Sequence, residues 1–186
     1  MNSEEEQRVR EIRNGNEEAF EELFFEYYAS LCGYALKILK SRDLARDAVQ
    51  EVFLKIWRNR ASWNIYRSLK VYLYQAVRNK SLDLLEKKNR QQNLTKELSE
   101  QALNSLTKQK IEQQKKYEQS DDVLQLIEAI WDIAEEMPER RKTVFILHRR
   151  NGLSYKEIGD VMGITRKTVE NHMALALQTI REEINY

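Results

Sequence analysis

The chain has 186 residues and a formal net charge of +1 at pH 7, with 33% charged and 41% hydrophobic residues. Five glycines and one proline are too few for a turn-rich β protein, so the composition favours an all-α fold of one or two small domains. One cysteine excludes an internal disulfide, and two histidines give no metal-site spacing, so no metal or cofactor is expected.

Sequence signals for membrane targeting are missing from the chain. It contains no run of about 18 apolar residues, which argues against a transmembrane helix. The first six residues, MNSEEE, are acidic and lack the basic and apolar regions of a signal peptide. These features predict a cytoplasmic protein without direct membrane insertion.

Charge is distributed unevenly along the chain. Residues 1–54 contain 12 acidic and 7 basic residues, whereas residues 55–96 contain 11 basic and 2 acidic residues. A second basic block, residues 137–181, has 9 basic and 4 acidic residues. Two basic blocks indicate two contacts with a polyanion, and the acidic front indicates a separate protein partner.

Three helices are predicted in the amino-terminal half, over residues 16–39, 44–58 and 69–87. Each has apolar side chains at the three- and four-residue spacing of an amphipathic helix. Together they provide enough aromatic and aliphatic residues to bury one small core, which predicts a first domain over residues 1–87.

The segment RASWNIYRS, residues 60–68, predicts an irregular loop between the second and third helices. Its aromatic residues, Trp63 and Tyr66, lie between Arg60 and Arg67. This mixture suits single-stranded nucleic acid, because cations attract phosphates and rings stack on unpaired bases. The alternative is that Trp63 fills the core of the domain, and both interpretations stay open at this point.

Residues 88–120 are rich in Gln, Lys, Glu and Asn and have few aromatic side chains. They offer too little apolar surface for a stable fold of their own, so we interpret them as a polar linker in which transient helix is possible. A coiled coil is the alternative, but the apolar positions are too sparse to define heptads.

A second helical domain is predicted over residues 121–186, ending in two helices joined by a tight turn. Ser154 and Glu157 form a capping-box pattern at the start of the first of these helices. Gly163 is suited to the left-handed cap that ends it, and Thr165 is suited to cap the next helix. This pattern is typical of a helix-turn-helix, whose second helix enters the DNA major groove. An αα-hairpin with a solvated outer face is the alternative.

Four segments together resemble extracytoplasmic-function sigma factors, the two-domain branch of the sigma-70 superfamily. LARDAVQEVFLKIW, residues 44–57, resembles the helix that docks on the clamp of the largest RNA polymerase subunit. VYLYQAVRNKSLD, residues 71–83, resembles the helix that meets the −10 promoter element. MPERRKTVF, residues 137–145, and the helix-turn-helix resemble the domain that reads the −35 element. The resemblance extends from about residue 16 to residue 181 and identifies the two predicted domains with sigma region 2 and sigma region 4.

The resemblance implies three groups of functional residues. The polymerase contacts would be Asp47, Gln50, Glu51 and Lys55. The contacts with the −10 element would be Trp63, Tyr66, Arg67, Tyr74, Arg78, Asn79 and Lys80, with a flipped base held by the loop that contains Trp63. The contacts with the −35 element would be Arg166, Lys167, Thr168, Glu170, Asn171 and Ala174.

Partners and activity also follow from the resemblance. It implies an alternative sigma factor that binds core RNA polymerase through the largest-subunit clamp and the flap region, directs it to promoter DNA and helps melt the −10 element. It also implies regulation by an anti-sigma factor, no small-molecule substrate and no enzymatic activity. Glu170, His172 and Leu175 stand where family members often carry a cation, which implies a different −35 sequence.

Three other classes of function compete with this interpretation. The helix-turn-helix also resembles the DNA-binding domain of response regulators, but those have a Rossmann-like domain in front, and the amino-terminal half shows no alternation of strands and helices. A purely protein-binding helical module leaves the two basic blocks unexplained. An enzyme is disfavoured because the sequence contains no phosphate-binding glycine loop, nucleophile triad or carboxylate constellation.

Overall fold

The computed structural model describes residues 3–65, 68–98 and 122–184, and within these ranges the chain is all-helical, as predicted. The helices are α1 Ser3–Arg13, α2 Glu17–Leu39, α3 Arg42–Arg58, α4 Leu69–Leu98, α5 Asp122–Glu136, α6 Glu139–Arg149, α7 Tyr155–Met162 and α8 Arg166–Ile184, with a 3₁₀ turn at Arg60–Ser62. None of the described helices has the length and apolar character needed to cross a bilayer.

The first helix, α1, was not predicted from the sequence. Only Val9 and Ile12 of α1 are buried, and most of its other residues are charged, so the apolar spacing was too sparse to detect. The helix packs on α2 and beside the 3₁₀ turn, and Arg8 forms an ion pair with Glu26 of α2 at 2.5 Å. The acidic front of the chain is therefore part of the amino-terminal fold.

Side-chain caps mark where α2 and α3 begin: α2 agrees with its predicted range to within one residue, whereas α3 begins at Arg42, two residues before its predicted start. The Asn16 side chain accepts a hydrogen bond from the Ala19 amide at 3.1 Å, and Ser41 accepts one from Leu44 at 3.5 Å. Lys40, between the two helices, adopts a left-handed conformation with φ of 53°. The two helices pack through aromatic rings, with Phe24 and Phe53 5.0 Å apart between ring centroids.

The third predicted helix ends later than expected. It was predicted to stop at residue 87, but α4 continues to Leu98, so residues 88–98 of the predicted linker are helical. The remainder of that linker, residues 99–120, lies outside the described residues. Packing of α4 against α2, α3 and α7 buries its amino-terminal half from several directions.

The four carboxyl-terminal helices form the predicted helix-turn-helix fold. Ser154 and Glu157 make both hydrogen bonds of the capping box, and Gly163 adopts a left-handed conformation with φ of 68°. The Thr168 amide donates to Thr165 Oγ1 at 3.1 Å, which caps the start of α8. Gly159 of α7 allows close approach to the turn, because a Cβ there would lie 2.8 Å from the Ile164 carbonyl oxygen.

The amino-terminal and carboxyl-terminal helices also pack against each other. Helix α7 lies on α4, where the Gln75 side-chain amide donates to the Asp160 carbonyl oxygen at 2.8 Å. Lys37 of α2 forms an ion pair with Glu135 of α5 at 2.9 Å. The buried apolar residues of the two halves belong to one continuous cluster.

Candidate nucleic-acid interface

The outer surface of α8 carries the residues predicted to read the −35 element. Arg166, Lys167, Asn171 and Ala174 are exposed, whereas Val169, Met173, Ala176 and Ile180 on the opposite side are buried. The predicted division of the helix into an outer and an inner side is therefore confirmed. This arrangement leaves the outer side free to enter a groove of DNA.

Local bonds occupy part of this surface. Glu170 is half-buried, accepts a hydrogen bond from Arg166 Nε at 2.9 Å, and lies 3.9 Å from Lys167 Nζ. Thr168 is also half-buried, and its hydroxyl is 2.8 Å from the Thr165 hydroxyl. The two cations at the start of α8 are therefore partly neutralised, while Asn171 is exposed.

Residues predicted for two different partners meet in one groove between α3 and α4. The groove has a volume of about 640 Å³ and is lined by Glu51 and Lys55 of α3 and by Gln75, Asn79 and Lys80 of α4, among others. Lys80 forms an ion pair with Glu51, which ties the two helices together across the groove. The other predicted polymerase residues, Asp47 and Gln50, are exposed on α3 outside the groove.

A smaller cavity lies next to this groove, beside Trp63. Its volume is about 210 Å³, and its lining includes Lys55, Asn59, Trp63, Asn64 and Tyr72. The Trp63 ring is only 5% exposed and meets Tyr72 edge-on, with 5.8 Å between the ring centroids. Its buried indole N–H has no hydrogen-bond partner among the described residues. Trp63 thus belongs to the core and also lines the cavity.

Tyr72 is a cavity residue that sequence reasoning missed. It is half-buried and lines both the groove and the cavity. Tyr72 does not belong to the apolar spacing of the predicted third helix, and an aromatic residue at such a position was the signal that could have identified it as a surface contact. A half-exposed aromatic ring next to basic residues is typical of surfaces that stack on bases.

One predicted contact with the −10 element is wrong. Tyr74 is 1% exposed and packs on Tyr34 with 5.3 Å between ring centroids, so its side chain cannot reach DNA in the folded chain. Burial also raises the pKa of its hydroxyl. The error arose because α4 is buried on several sides, so position 74 lies inward beside the buried Leu73 and Val77.

Arg78 lies on a different side of α4 from the groove. It is half-buried near Tyr34, whose pKa burial raises to about 12 while the positive charge of Arg78 opposes that increase. It does not line the groove that holds Asn79 and Lys80. The other two predicted residues, Tyr66 and Arg67, lie outside the described residues.

Arg60 supports the turn that leads to Trp63. Its guanidinium lies over the Trp57 ring, 4.4 Å from the centroid, and Nη1 donates to the Trp57 carbonyl oxygen at 2.9 Å. This side chain therefore packs on α3, whereas the sequence suggested that it would attract phosphates. Within the described ranges, no group of three or more His, Cys, Asp or Glu side chains is positioned to hold a metal ion.

The general class that this fold defines is an all-helical protein with a carboxyl-terminal helix-turn-helix. No strand occurs in residues 3–65 and 68–98, which excludes a Rossmann-like domain over that part of the chain. The family described as Sigma-70 region 2 matches residues 23–91, and Sigma-70, region 4 matches residues 127–180. These ranges include the groove, the Trp63 cavity and the helix-turn-helix.

Curated relatives extend the similarity to nearly the whole chain. The ECF RNA polymerase sigma factor SigW of Bacillus subtilis is 23% identical over 177 residues, covering 95% of each chain. The ECF RNA polymerase sigma-E factor of Haemophilus influenzae is 25% identical over 176 residues, covering 95% of this chain and 93% of the relative. The chain therefore belongs to the sigma-70 family, in its extracytoplasmic-function (ECF) group.

Solved structures share the fold at low sequence identity. CnrH in complex with the cytosolic domain of CnrY has a TM-score of 0.59 at 16% identity, covering 96% of this chain and 95% of that chain. The sigma factor RpoE in complex with the anti-sigma factor NepR from Bartonella quintana has a TM-score of 0.58 at 19% identity, covering 89% of this chain and 96% of that chain. The chain is an alternative sigma factor, a transcription initiation factor and not an enzyme, and its family binds core RNA polymerase and promoter DNA.

Proposed function

We propose that the two halves of this sigma factor divide promoter recognition between them. The outer side of α8 reads the −35 element, chiefly through Arg166, Lys167 and Asn171. The groove between α3 and α4 and the adjacent cavity take the melted strand of the −10 element. The exposed side of α3 docks on the clamp of the largest polymerase subunit through Asp47, Gln50 and Glu51, and the carboxyl-terminal half meets the flap region.

The observation that carries this proposal is the cavity beside Trp63. A volume of about 210 Å³ bounded by two aromatic rings and polar side chains suits a single unpaired base. The indole N–H of Trp63 is buried without a hydrogen-bond partner among the described residues, which has a free-energy cost of about 1–3 kcal/mol. Stacking adds about 1–3 kcal/mol per base, and this gain exists only after the duplex has opened.

Regulation and location are part of the same proposal. The chain works in the cytoplasm, where core polymerase is found, and an anti-sigma factor holds it inactive. Similarity in fold to a sigma factor solved with an anti-sigma factor supports a partner of this kind. Co-purification of the tagged chain from its own host, followed by identification of the bound proteins, tests this part.

One variant of the cavity and one of the adjacent groove test the melting role. Replacing Trp63 by alanine would open a core cavity and cost about 3–5 kcal/mol of stability, so that variant would confuse folding with function. We expect Trp63→Phe and Asn79→Ala to retain binding to core polymerase but to reduce open-complex formation about tenfold, measured as permanganate-reactive thymines near the start site. Tyr74→Phe alters a buried ring of the same helix away from the cavity and is the matched control.

Two results would contradict the proposal. Open-complex formation that is reduced equally by Tyr74→Phe would mean that packing of α4, and not the cavity, controls melting. Transcription regulated by the free chain without binding to core polymerase would overturn the assignment of these surfaces altogether. Asp47→Arg combined with Glu51→Arg separates docking from melting, because reversed charge on α3 should abolish polymerase binding.

A further inference from the structure

One large apolar side chain on the outer side of α8 is not part of the core. Leu175 is 43% exposed, whereas Val169, Met173 and Ala176 on the inner side of the same helix are buried. Single exposed leucines are common on protein surfaces, so exposure alone assigns no role to this residue. Its role follows from the residues that share its side of the helix.

The middle of this outer side carries no charge. Between positions 170 and 180, the exposed residues of α8 are Asn171, Ala174, Leu175 and Gln178. Asn171 and Leu175 are four residues apart, so they are neighbours on one face of the helix. Exposed side chains of this kind contact DNA through hydrogen bonds and apolar groups and not through attraction to phosphates.

Positive charge lies before and after this uncharged centre. Arg166 and Lys167 precede Leu175 by about two turns of helix. Beyond it, Arg141 Nη1 of α6 donates to Thr179 Oγ1 at 3.0 Å, and that hydroxyl donates to the Leu175 carbonyl oxygen at 3.0 Å. Contacts with phosphates position a protein on DNA, and contacts with base edges specify the sequence. The flanking cations therefore suit the backbone, and the uncharged centre suits the bases.

Asn171 and Leu175 offer different chemistry to nearby base pairs. An asparagine amide can bond N6 and N7 of adenine, and an apolar side chain can contact the C5 methyl group of thymine in the major groove. Four residues of an α-helix rise about 6 Å, and base pairs are spaced by about 3.4 Å. A helix that lies along the groove therefore places Leu175 one or two base pairs from the base that Asn171 reads.

We infer that Leu175 is a specificity-determining residue of the −35 surface and that it selects a thymine through contact with the C5 methyl group. The inference rests on the proposed function, which places the outer side of α8 in the groove. Removing one buried methyl group from water changes a binding constant about fourfold. Cytosine lacks this methyl group, so the contact discriminates against it without any hydrogen bond.

Removal of single methyl groups from the DNA tests this contact. The complex of the wild-type chain with core polymerase first selects its preferred −35 element from duplexes randomised over that region. Each thymine of the selected element is then replaced in turn by deoxyuridine, which pairs in the same way and lacks only the methyl group. We expect one thymine, or two at most, whose replacement weakens wild-type binding about fourfold. Leu175→Ala should bind the thymine and deoxyuridine duplexes equally.

Two further variants and one modified base control for other causes. Leu126→Ala removes a leucine of α5 that is 45% exposed, and this variant should retain the fourfold difference. Leu175→Lys should abolish the difference and steepen the salt dependence by about one phosphate contact. At the sensitive position, the wild type should also prefer 5-methylcytosine to cytosine, because 5-methylcytosine carries a methyl group at the same ring position as thymine.

The outcomes separate this inference from the proposed function. A selected element without thymine, or one in which every thymine tolerates replacement by deoxyuridine, would overturn the inference. A Leu175→Ala variant that keeps the fourfold difference would also overturn it, because another side chain would then contact the methyl group. The proposed function survives these results if the complex still selects a −35 sequence that Asn171→Ala alters. If no substitution on the outer side of α8 alters the selected sequence, the proposed function fails and the inference fails with it.

Discussion

At the scale of single residues, Gly159 and Gly33 are both helical, but an added methyl group would meet different surroundings at the two positions. At Gly159 a Cβ would lie 2.8 Å from the Ile164 carbonyl oxygen, which belongs to the turn before α8. At Gly33 of α2 the added atom would meet nothing within 4 Å. Backbone approach therefore requires glycine at the first position and not at the second.

We expect Gly159→Ala to destabilise the helix-turn-helix by about 1–3 kcal/mol, because the turn must move to accept the methyl group. Gly33→Ala, the matched control, should stabilise the chain by about 0.5–1 kcal/mol, since alanine loses less backbone entropy in a helix. Thermal unfolding of both full-length variants, followed by circular dichroism, measures the difference. Equal melting temperatures for the two would mean that the turn adjusts without cost.

The sequence predicted some of the candidate site residues correctly and others not. The exposed polar residues of α3 and α8 follow from helical periodicity, because each helix buries one side only. Tyr74 was misassigned because α4 packs on three helices. The three- and four-residue spacing of an amphipathic helix does not distinguish the buried from the exposed positions of a helix that is covered on several sides. The pairing of Lys80 with Glu51, and the meeting of two predicted interfaces in one groove, depend on the packing of α3 against α4.

At the scale of elements, local rules predicted α7 and α8 well and other helices less well. The capping box, the left-handed Gly163 and the Thr165 cap depend only on residues within a few positions of each other. By contrast, α1 is held by two apolar residues and an ion pair with α2, and its existence depends on tertiary contacts. The extension of α4 beyond residue 87 shows no apolar pattern strong enough to predict it.

The ion pairs at the start of α8 make a prediction about DNA binding. Glu170 neutralises part of the charge of Arg166 and Lys167. We expect Glu170→Gln to increase affinity for DNA of any sequence and to steepen the dependence on salt by about one phosphate contact, because both cations become free to meet phosphates. The measurement is the affinity of the polymerase complex for −35 duplexes over a range of salt.

Asn171→Ala supplies the contrasting result for the same helix. An amide that bonds a base edge discriminates by about 1–3 kcal/mol, so its loss should change which −35 bases are tolerated and leave the salt dependence unchanged. If Asn171→Ala instead weakens all sequences equally, the residue contacts the DNA backbone and another part of α8 reads the bases.

At the scale of the whole molecule, the contacts between the halves were beyond the reach of sequence patterns. Lys37 and Glu135 are 98 positions apart, and neither belongs to a motif that the sequence could reveal. The sequence predicted two domains and left their relation open. The ion pairs Lys37–Glu135 and Lys40–Glu139 therefore come from the structure alone, and the Glu135 carboxylate makes the packing of the two halves on each other, here called closure, dependent on pH.

Burial of the Glu135 carboxylate favours its neutral form, but hydrogen bonds and charges from Lys37 on α2 and Lys142 on α6 outweigh burial and lower its pKa below the ordinary 4.5. The closed chain thus binds its proton at this site less readily than an opened chain does. It follows that Glu135 stabilises closure fully at pH above 4.5 and loses this effect as the pH falls through the lowered pKa.

We therefore expect the radius of gyration of the wild-type chain to be constant near neutral pH and to increase as the solution is acidified below pH 4.5. In the Glu135→Gln variant the side chain is an uncharged amide at every pH and cannot form the ion pairs. This variant should therefore be more open than the wild type at neutral pH and should show a smaller increase in radius of gyration on acidification. Far-ultraviolet circular dichroism at each pH must show unchanged helix content, so that opening is distinguished from acid unfolding. An identical increase in wild type and Glu135→Gln would assign the transition to carboxylates other than Glu135, because only the Glu135 contribution differs between the two chains.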